Sequence, residues 1–91
     1  MRVQLLVRVR EGSDVIRWER HVERSYPGVP RVGEWVDLAD EGSALVGAAF
    51  PVSDVGWEND GTVALTFDFE SASDAYLEAL GFVKVADRPS A

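Results

Sequence analysis

The sequence predicts a mainly β fold of the α+β class with one short C-terminal helix. Apolar and polar residues alternate over residues 2–10 and 62–69, which is the period of a half-buried strand. Short clusters of Gly, Pro, Asn, Asp and Ser separate the apolar segments, as turns separate strands. Residues 71–82 change to helical spacing. We therefore expect a small, curved, antiparallel barrel or half-barrel of five to six strands, with the helix closing an open end.

The first two strands are predicted to form a hairpin. In "MRVQLLVRVR" the residues Val3 to Val9 alternate with polar ones, and Leu6 is the one apolar residue on the polar side. The sequence "EGSD" supplies a turn. The next segment, "VIRWERHVERSY", fits helical spacing too, but its β-branched residues and the Tyr-Pro stop favour a strand, with Trp18 in the core.

The stretch "PGVPRVGEWVDLAD", residues 27–40, could be a ligand loop or a corner before a strand. Glu34 and Trp35 stand where a phosphate-binding loop needs Lys and Ser or Thr, so we interpret the stretch as a corner. A third strand follows, with Val36 and Leu38 on one face. Trp35 points the other way and either forms an exposed patch or lies under the C-terminal helix.

The fourth strand, "ALVGAAFPVSDVGW", is irregular because Pro51 cannot donate to a ladder, and its phase change predicts a bulge near Ser53 and Asp54. A three-residue loop, "NDG", leads into the fifth strand, "TVALTFDF". With Gly61 in the left-handed region, Trp57 pairs with Val63 and Val55 pairs with Leu65. Trp57 is therefore expected in the core.

The helix is predicted to begin after Ser71 or Ser73 and to end at Gly81. Its predicted apolar stripe consists of Ala75, Tyr76, Ala79 and Leu80. The sequence "FVKVA" is consistent with one more short strand. We expect a single domain over residues 1–86 and a flexible tail over residues 87–91.

Composition excludes several classes of site. The 91 residues contain no cysteine, so there is no disulfide or thiolate metal site. The sequence shows neither a signal peptide nor a run long enough to span a bilayer, and we expect a soluble cytoplasmic protein. The net charge of −7 opposes binding to a polyanion.

The charge is unevenly distributed along the chain. Residues 1–32 carry seven arginines and four acids, whereas residues 33–91 carry two basic residues and twelve acids. The favoured explanation is that basic N-terminal strands lie beside acidic C-terminal ones. The alternative is an arginine face that binds nucleic acid, formed by Arg8, Arg10, Arg17 and Arg20.

Catalytic candidates are few. His21, the single histidine, has charged neighbours and is expected to face solvent. Carboxylates around the last hairpin could serve a small enzyme or bind a cation, although their spacing matches no known metal motif, and we interpret them as solubilising. They are Asp54, Glu58, Asp60, Asp68 and Glu70. We predict no cofactor and no metal.

Three motifs, "PGVPRVGEWVDL", "VGWENDGTVALTF" and "YLEALGF", span residues 27–82. In these motifs the chain resembles a group of small bacterial and phage proteins of unknown function. The turn from Val32 to Val36 is also similar to the corner of small barrels of the Src-homology-3 kind, and Glu34 stands where aspartate is commoner. The resemblance implies a small β-barrel and assigns no activity.

These observations favour a non-enzymatic β-barrel module that binds a protein partner or a second copy of itself. Its predicted binding residues are Tyr26, Pro30, Arg31 and Trp35, with Trp35 as the anchor. Nucleic-acid binding through the arginine face is the first alternative, and an enzyme using the hairpin carboxylates is the second.

Overall fold

The structure, a computed structural model, describes residues 1–40, 45 and 47–85. It is mainly β with one short helix, as predicted. The elements are β1 (Arg2–Glu11), β2 (Asp14–Glu23), β3 (Trp35–Asp37), β4 (Ala49–Pro51), β5 (Asp54–Trp57), β6 (Val63–Phe69), α1 (Asp74–Ala79) and β7 (Val83–Lys84). The predicted tail, residues 87–91, lies outside the described residues. Among the described residues, no helix has the length and apolar character needed to cross a membrane.

Five strands form one mixed sheet in the order β5-β6-β1-β2-β7. The central pair, β1 and β6, is parallel, with Val3 opposite Val63 and Val9 opposite Phe69. The expectation of an antiparallel arrangement is therefore wrong for this pair. Short loops exclude parallel pairing only between consecutive strands, whereas here the whole chain from β2 to β5 forms the crossover.

The remaining two strands, β3 and β4, form a separate antiparallel sheet. The chain leaves this sheet at Val52, whose carbonyl accepts from Gly33 N at 2.8 Å, and joins the large sheet at Ser53, whose N–H donates to Thr66 O at 2.8 Å. The irregularity predicted near Ser53 and Asp54 is thus a break between two strands. No closed barrel is present among the described residues, and a half-barrel curvature stays a prediction.

The core lies on one face of the large sheet. The central side chain is Phe67, which is fully buried, as the alternation in β6 predicts. Burying each side chain of this size stabilises the fold by about 1.5–3 kcal/mol. The sheet contributes Val3, Leu5, Val7, Val9, Trp18, Val63, Leu65 and Phe67, and the covering segments contribute Val36, Leu38, Val52, Leu77, Leu80 and Phe82.

The helix covers part of this core. Ser73 caps its first turn by accepting from Tyr76 N at 3.2 Å, and Gly81 ends it with a φ of +88°. The predicted stripe is partly wrong, because Leu77 and Leu80 are buried while Ala75 and Ala79 are exposed. A helix of fewer than two turns presents only one pair at i, i+3 to the core, and here the larger leucines occupy it.

Two arginines, one in β2 and one directly after it, hold the segment at the end of β3. Arg20 shares the core face of β2 with Trp18 and donates to Leu80 O at 2.7 Å and Leu38 O at 3.3 Å. Its guanidinium also contacts Asp40. Arg24 donates to the carbonyls of Asp37 and Ala39. The backbone from residue 37 to residue 40 is thereby fixed against the end of β2.

Candidate functional site

The four predicted binding residues line one open groove with a volume of about 740 Å³. We call it the Trp35 groove. Its walls are the irregular segment 26–32 and the strand β3, with Arg24 at one side. The lining residues are Arg24, Tyr26, Pro27, Gly28, Val29, Pro30, Arg31, Val32, Glu34, Trp35, Val36 and Asp37.

Trp35 is exposed in the groove because β3 alternates. Val36 points into the core and is buried, so its neighbour Trp35 points outward and is 68% exposed. In the β3–β4 ladder, Trp35 lies opposite Pro51. Of the two outcomes left open by the sequence, the structure shows the exposed one, and α1 does not cover the indole.

Local hydrogen bonds fix the corner beside Trp35. Glu34 N donates to Arg31 O at 3.0 Å, and the carboxylate of Glu34 accepts from Arg31 N at 2.8 Å. Gly33 has a φ of +90°, a conformation that favours glycine. Pro27 and Pro30 restrict the preceding chain further. The backbone of this corner therefore has little conformational freedom.

Tyr26 also lines a second groove. The second groove has a volume of about 500 Å³, and we call it the Asp40 groove. Its lining residues are Glu23, Arg24, Ser25, Tyr26, Asp37, Ala39 and Asp40. The Tyr26 hydroxyl is buried and has no hydrogen-bond partner among the described residues. The two grooves share Arg24, Tyr26 and Asp37, so they adjoin one another.

Sequence reasoning missed the Asp40 groove. Two of its residues, Glu23 and Arg24, lie at the end of β2, far along the chain from Asp37 and Asp40. The only available signal was the presence of Arg20 on the apolar face of β2, which indicated that a polar segment must pack there.

The structure does not bring the four predicted nucleic-acid-binding arginines to one face. Arg8 and Arg17 lie opposite each other, and Arg8 and Arg10 line a common shallow pocket. Arg20 lies on the other face of the sheet, where its guanidinium binds backbone carbonyls. Arg20 lies two residues after Trp18 and therefore shares its core face, which excludes Arg20 from the arginine face.

Arg8 is neutralised within the sheet. Its guanidinium binds both carboxylate oxygens of Asp68, at 2.7 Å and 3.0 Å, across the β1–β6 pair. The hydrogen bond from Arg8 holds the pKa of Asp68 below its usual value. Arg2 forms a longer ion pair with Asp60, at 3.6 Å, in the loop before β6. These contacts agree with the explanation that the basic strands lie beside acidic ones.

Two of the hairpin carboxyls, Asp60 and Asp68, have a shifted pKa, and both shifts are downward. The backbone N–H of Thr62 lowers the pKa of Asp60, and the pKa of Asp68 is lowered too, whereas a general acid needs a raised pKa. Among the described residues, no three His, Asp or Glu side chains lie close enough to hold a metal ion. His21 is exposed, as predicted.

Trp57 is a correction to the sequence analysis. The predicted register is confirmed, with Trp57 opposite Val63 and Val55 opposite Leu65, and Gly61 has a φ of +88°. The indole is nevertheless 65% exposed. Trp57 belongs to the last residue pair of an edge strand. It lies on the core face of the sheet, as predicted, but no described segment covers it there. Trp18 is buried, as predicted, with Lys84 Nζ 5.9 Å from the ring centre.

No family model matches the chain, and no curated protein or solved structure matches it either.

Proposed function

We propose that this protein is a non-enzymatic module that binds a segment of a partner protein in the Trp35 groove. The observation that carries the proposal is the exposed indole of Trp35 in the middle of a rigid, proline-lined groove. Tryptophans in such positions are the residues that contribute most to binding at protein interfaces. The fixed corner lowers the entropy lost on binding.

The other candidate functions have less support. A nucleic-acid surface would need the arginines to be free and on one face, whereas Arg8 is paired with Asp68 and Arg20 faces the core. An enzyme would need a site around the hairpin carboxylates, and the two that have a shifted pKa, Asp60 and Asp68, have it lowered, which does not suit a general acid.

Selection from a random ten-residue peptide library displayed on phage tests the proposal. Trp35→Ala should lower the affinity for the selected peptides at least about 30-fold, because loss of an anchor tryptophan costs about 2 kcal/mol or more of binding free energy. Trp57→Ala is the matched control, since it removes an equally exposed indole outside the groove. The melting temperature of Trp35→Ala should stay within about 4 °C of the wild-type value.

Two outcomes contradict the proposal. Peptides that lose affinity equally in both variants would indicate non-specific adhesion to indoles. A large fall in the melting temperature of Trp35→Ala would make Trp35 a residue of the core. Light scattering tests self-association separately: a wild-type dimer that Trp35→Ala converts to a monomer would assign the groove to a second copy of the chain.

A further inference from the structure

We propose that the partner segment is basic: an apolar residue of the segment packs on Trp35, and adjacent Lys or Arg side chains lie over the Asp40 groove. This inference rests on the proposed function and specifies the chemistry of the ligand. It is carried by the distribution of charge along the two joined grooves.

The two halves of the surface differ in charge. The Trp35 groove is balanced, with Arg24 and Arg31 against Glu34 and Asp37. The Asp40 groove contains three carboxylates, those of Glu23, Asp37 and Asp40, and one arginine, Arg24. The lining of the Asp40 groove is therefore acidic, although the Met1 amine pairs with Glu23 and Arg20 pairs with Asp40. A ligand that is apolar at one end and basic at the other complements the two halves.

The one arginine in the acidic half is already occupied. The guanidinium of Arg24 donates to the carbonyls of Asp37 and Ala39, which fixes it in the wall of the groove. Among the described residues, Glu23 and Asp37 each have an oxygen left for a ligand, whereas Asp40 pairs with Arg20 through Oδ2 at 2.5 Å. Within the described part of the chain, Asp37 accepts only through Oδ1, from Ala39 N at 2.9 Å, and Glu23 pairs only through Oε2, with the Met1 amine at 3.4 Å. Both side chains are exposed.

The net charge of the whole chain also favours a basic segment over a second copy of the chain and over an acidic segment. The chain carries a net charge of −7, so a second copy or an acidic segment approaches against repulsion. A basic segment is attracted at a distance and then held by the local carboxylates. The exposed face of Trp35 also accepts a cation, and Arg stacks on indole better than Lys does.

Three pools of synthetic ten-residue peptides test the inference. In all three pools, one half of each peptide is the same degenerate mixture of apolar residues and proline. The other half is basic (Arg and Lys), neutral (Ser and Gln) or acidic (Asp and Glu). Each pool contains peptides with the two halves in either order. The basic pool should bind at least about fivefold more tightly than the neutral pool and should lose affinity in Trp35→Ala. Its affinity should fall as ionic strength rises, because salt screens exposed charges.

Charge-neutralising variants locate the basic half. Glu23→Gln with Asp37→Asn removes two carboxylates, and the amide oxygen of Asn at position 37 can still accept from Ala39 N. This variant should lower the affinity for the basic pool roughly 5- to 10-fold, which is the effect of losing two exposed ion pairs. Glu11→Gln with Asp14→Asn makes the same charge change at the first hairpin turn and should alter affinity less than twofold.

The outcomes separate the inference from the proposed function. If the neutral pool binds as tightly as the basic pool and loses affinity in Trp35→Ala, the basic segment is wrong and the binding groove stands. If no pool binds in a way that depends on Trp35, both are wrong. If the two double variants weaken the basic pool equally, the attraction is a property of net charge and the assignment to the Asp40 groove is overturned.

Discussion

Arg20 is a charged residue on the apolar face of a strand, and three contacts account for its position. Its guanidinium binds the carbonyls of Leu38 and Leu80 and the carboxylate of Asp40, and its side chain is 15% exposed. A partly buried charge is tolerated when its donors are satisfied in this way. Arg20 therefore links three segments that the sheet itself does not connect: the end of α1, the segment after β3, and β2.

Loss of this link should be costly. We predict that Arg20→Ala lowers the free energy of unfolding by about 3 kcal/mol, because hydrogen bonds from charged groups are lost and carbonyls near the core are left without donors. Urea unfolding followed by tryptophan fluorescence measures the change. Arg17→Ala is the control on the outer face of the same strand and should change stability by less than about 0.5 kcal/mol. Equal effects of the two substitutions would contradict the role assigned to Arg20.

The Arg8–Asp68 pair is a second contact between single residues, and it is exposed. Since the pKa of Asp68 is lower in the folded chain than in the unfolded one, its ionised form stabilises the fold. That contribution is complete above the unfolded pKa, about 3.9, and is lost as the pH falls through the folded value. Exposed pairs of this kind contribute about 0.2–1 kcal/mol.

A double-mutant cycle should show this pH dependence. With Arg8→Gln, Asp68→Asn and the double variant, we predict a coupling free energy of about 0.2–1 kcal/mol at pH 7 that is unchanged down to about pH 5. It should decrease below about pH 4 as Asp68 becomes protonated. Urea unfolding at each pH measures it, and a coupling that grows on acidification would contradict the pair.

Among the elements, the β5–β6 hairpin was predicted most completely, because its register depends on neighbouring residues alone. Asp60 accepts from Thr62 N at 2.9 Å, Gly61 N donates to Glu58 O at 3.0 Å, and the positive φ of Gly61 closes the loop. Each of these features follows from the sequence "ENDGT".

Substitution at this loop tests its contribution. Gly61→Ala should lower the free energy of unfolding by about 1–2 kcal/mol, because an L residue is strained at a φ of +88°. Gly56→Ala in the same hairpin is the control: its φ is not positive, and an added Cβ meets no atom within 4 Å. It should leave stability within about 0.5 kcal/mol. Thermal unfolding compares the two, and a Gly61→Ala variant as stable as Gly56→Ala would contradict the strained-turn assignment.

Features that depend on distant partners could not be predicted in this way. The alternation of apolar and polar residues predicted β1 and β6 and the face of each strand that is buried. It contains no information on whether the two strands are neighbours in the sheet. The correct parity of Trp57 did not give its exposure, which depends on whether another segment lies above it. The binding residues of the Trp35 groove could be predicted because Tyr26 to Trp35 lie in one continuous stretch of sequence. The residues of the Asp40 groove come from two separate segments and could not be predicted in this way.

At the scale of the whole molecule, β1 has two partners that come from opposite ends of the chain. It lies between β2, its neighbour in sequence, and β6, so the central pair of the sheet forms only when the two ends meet. Closure of such a long loop is slow and opposes folding entropically until the core packs. The core face of β1, with Leu5 and Val7, is covered only by elements later in the chain.

The N-terminal hairpin should therefore not fold alone, although its alternation and its turn are the clearest in the first half of the chain. A peptide of residues 1–25 contains all the residues of the β1–β2 ladder, but a folded hairpin would expose Val3, Leu5, Val7 and Trp18 to water. Isolated two-stranded hairpins are marginal even when their turns are favourable. We predict that circular dichroism of this peptide shows no strand signal at 25 °C, whereas the whole chain unfolds in one cooperative transition. A folded hairpin peptide, or separate transitions in the whole chain, would mean that the sheet assembles from independent parts and that the β1–β6 pair does not determine its stability.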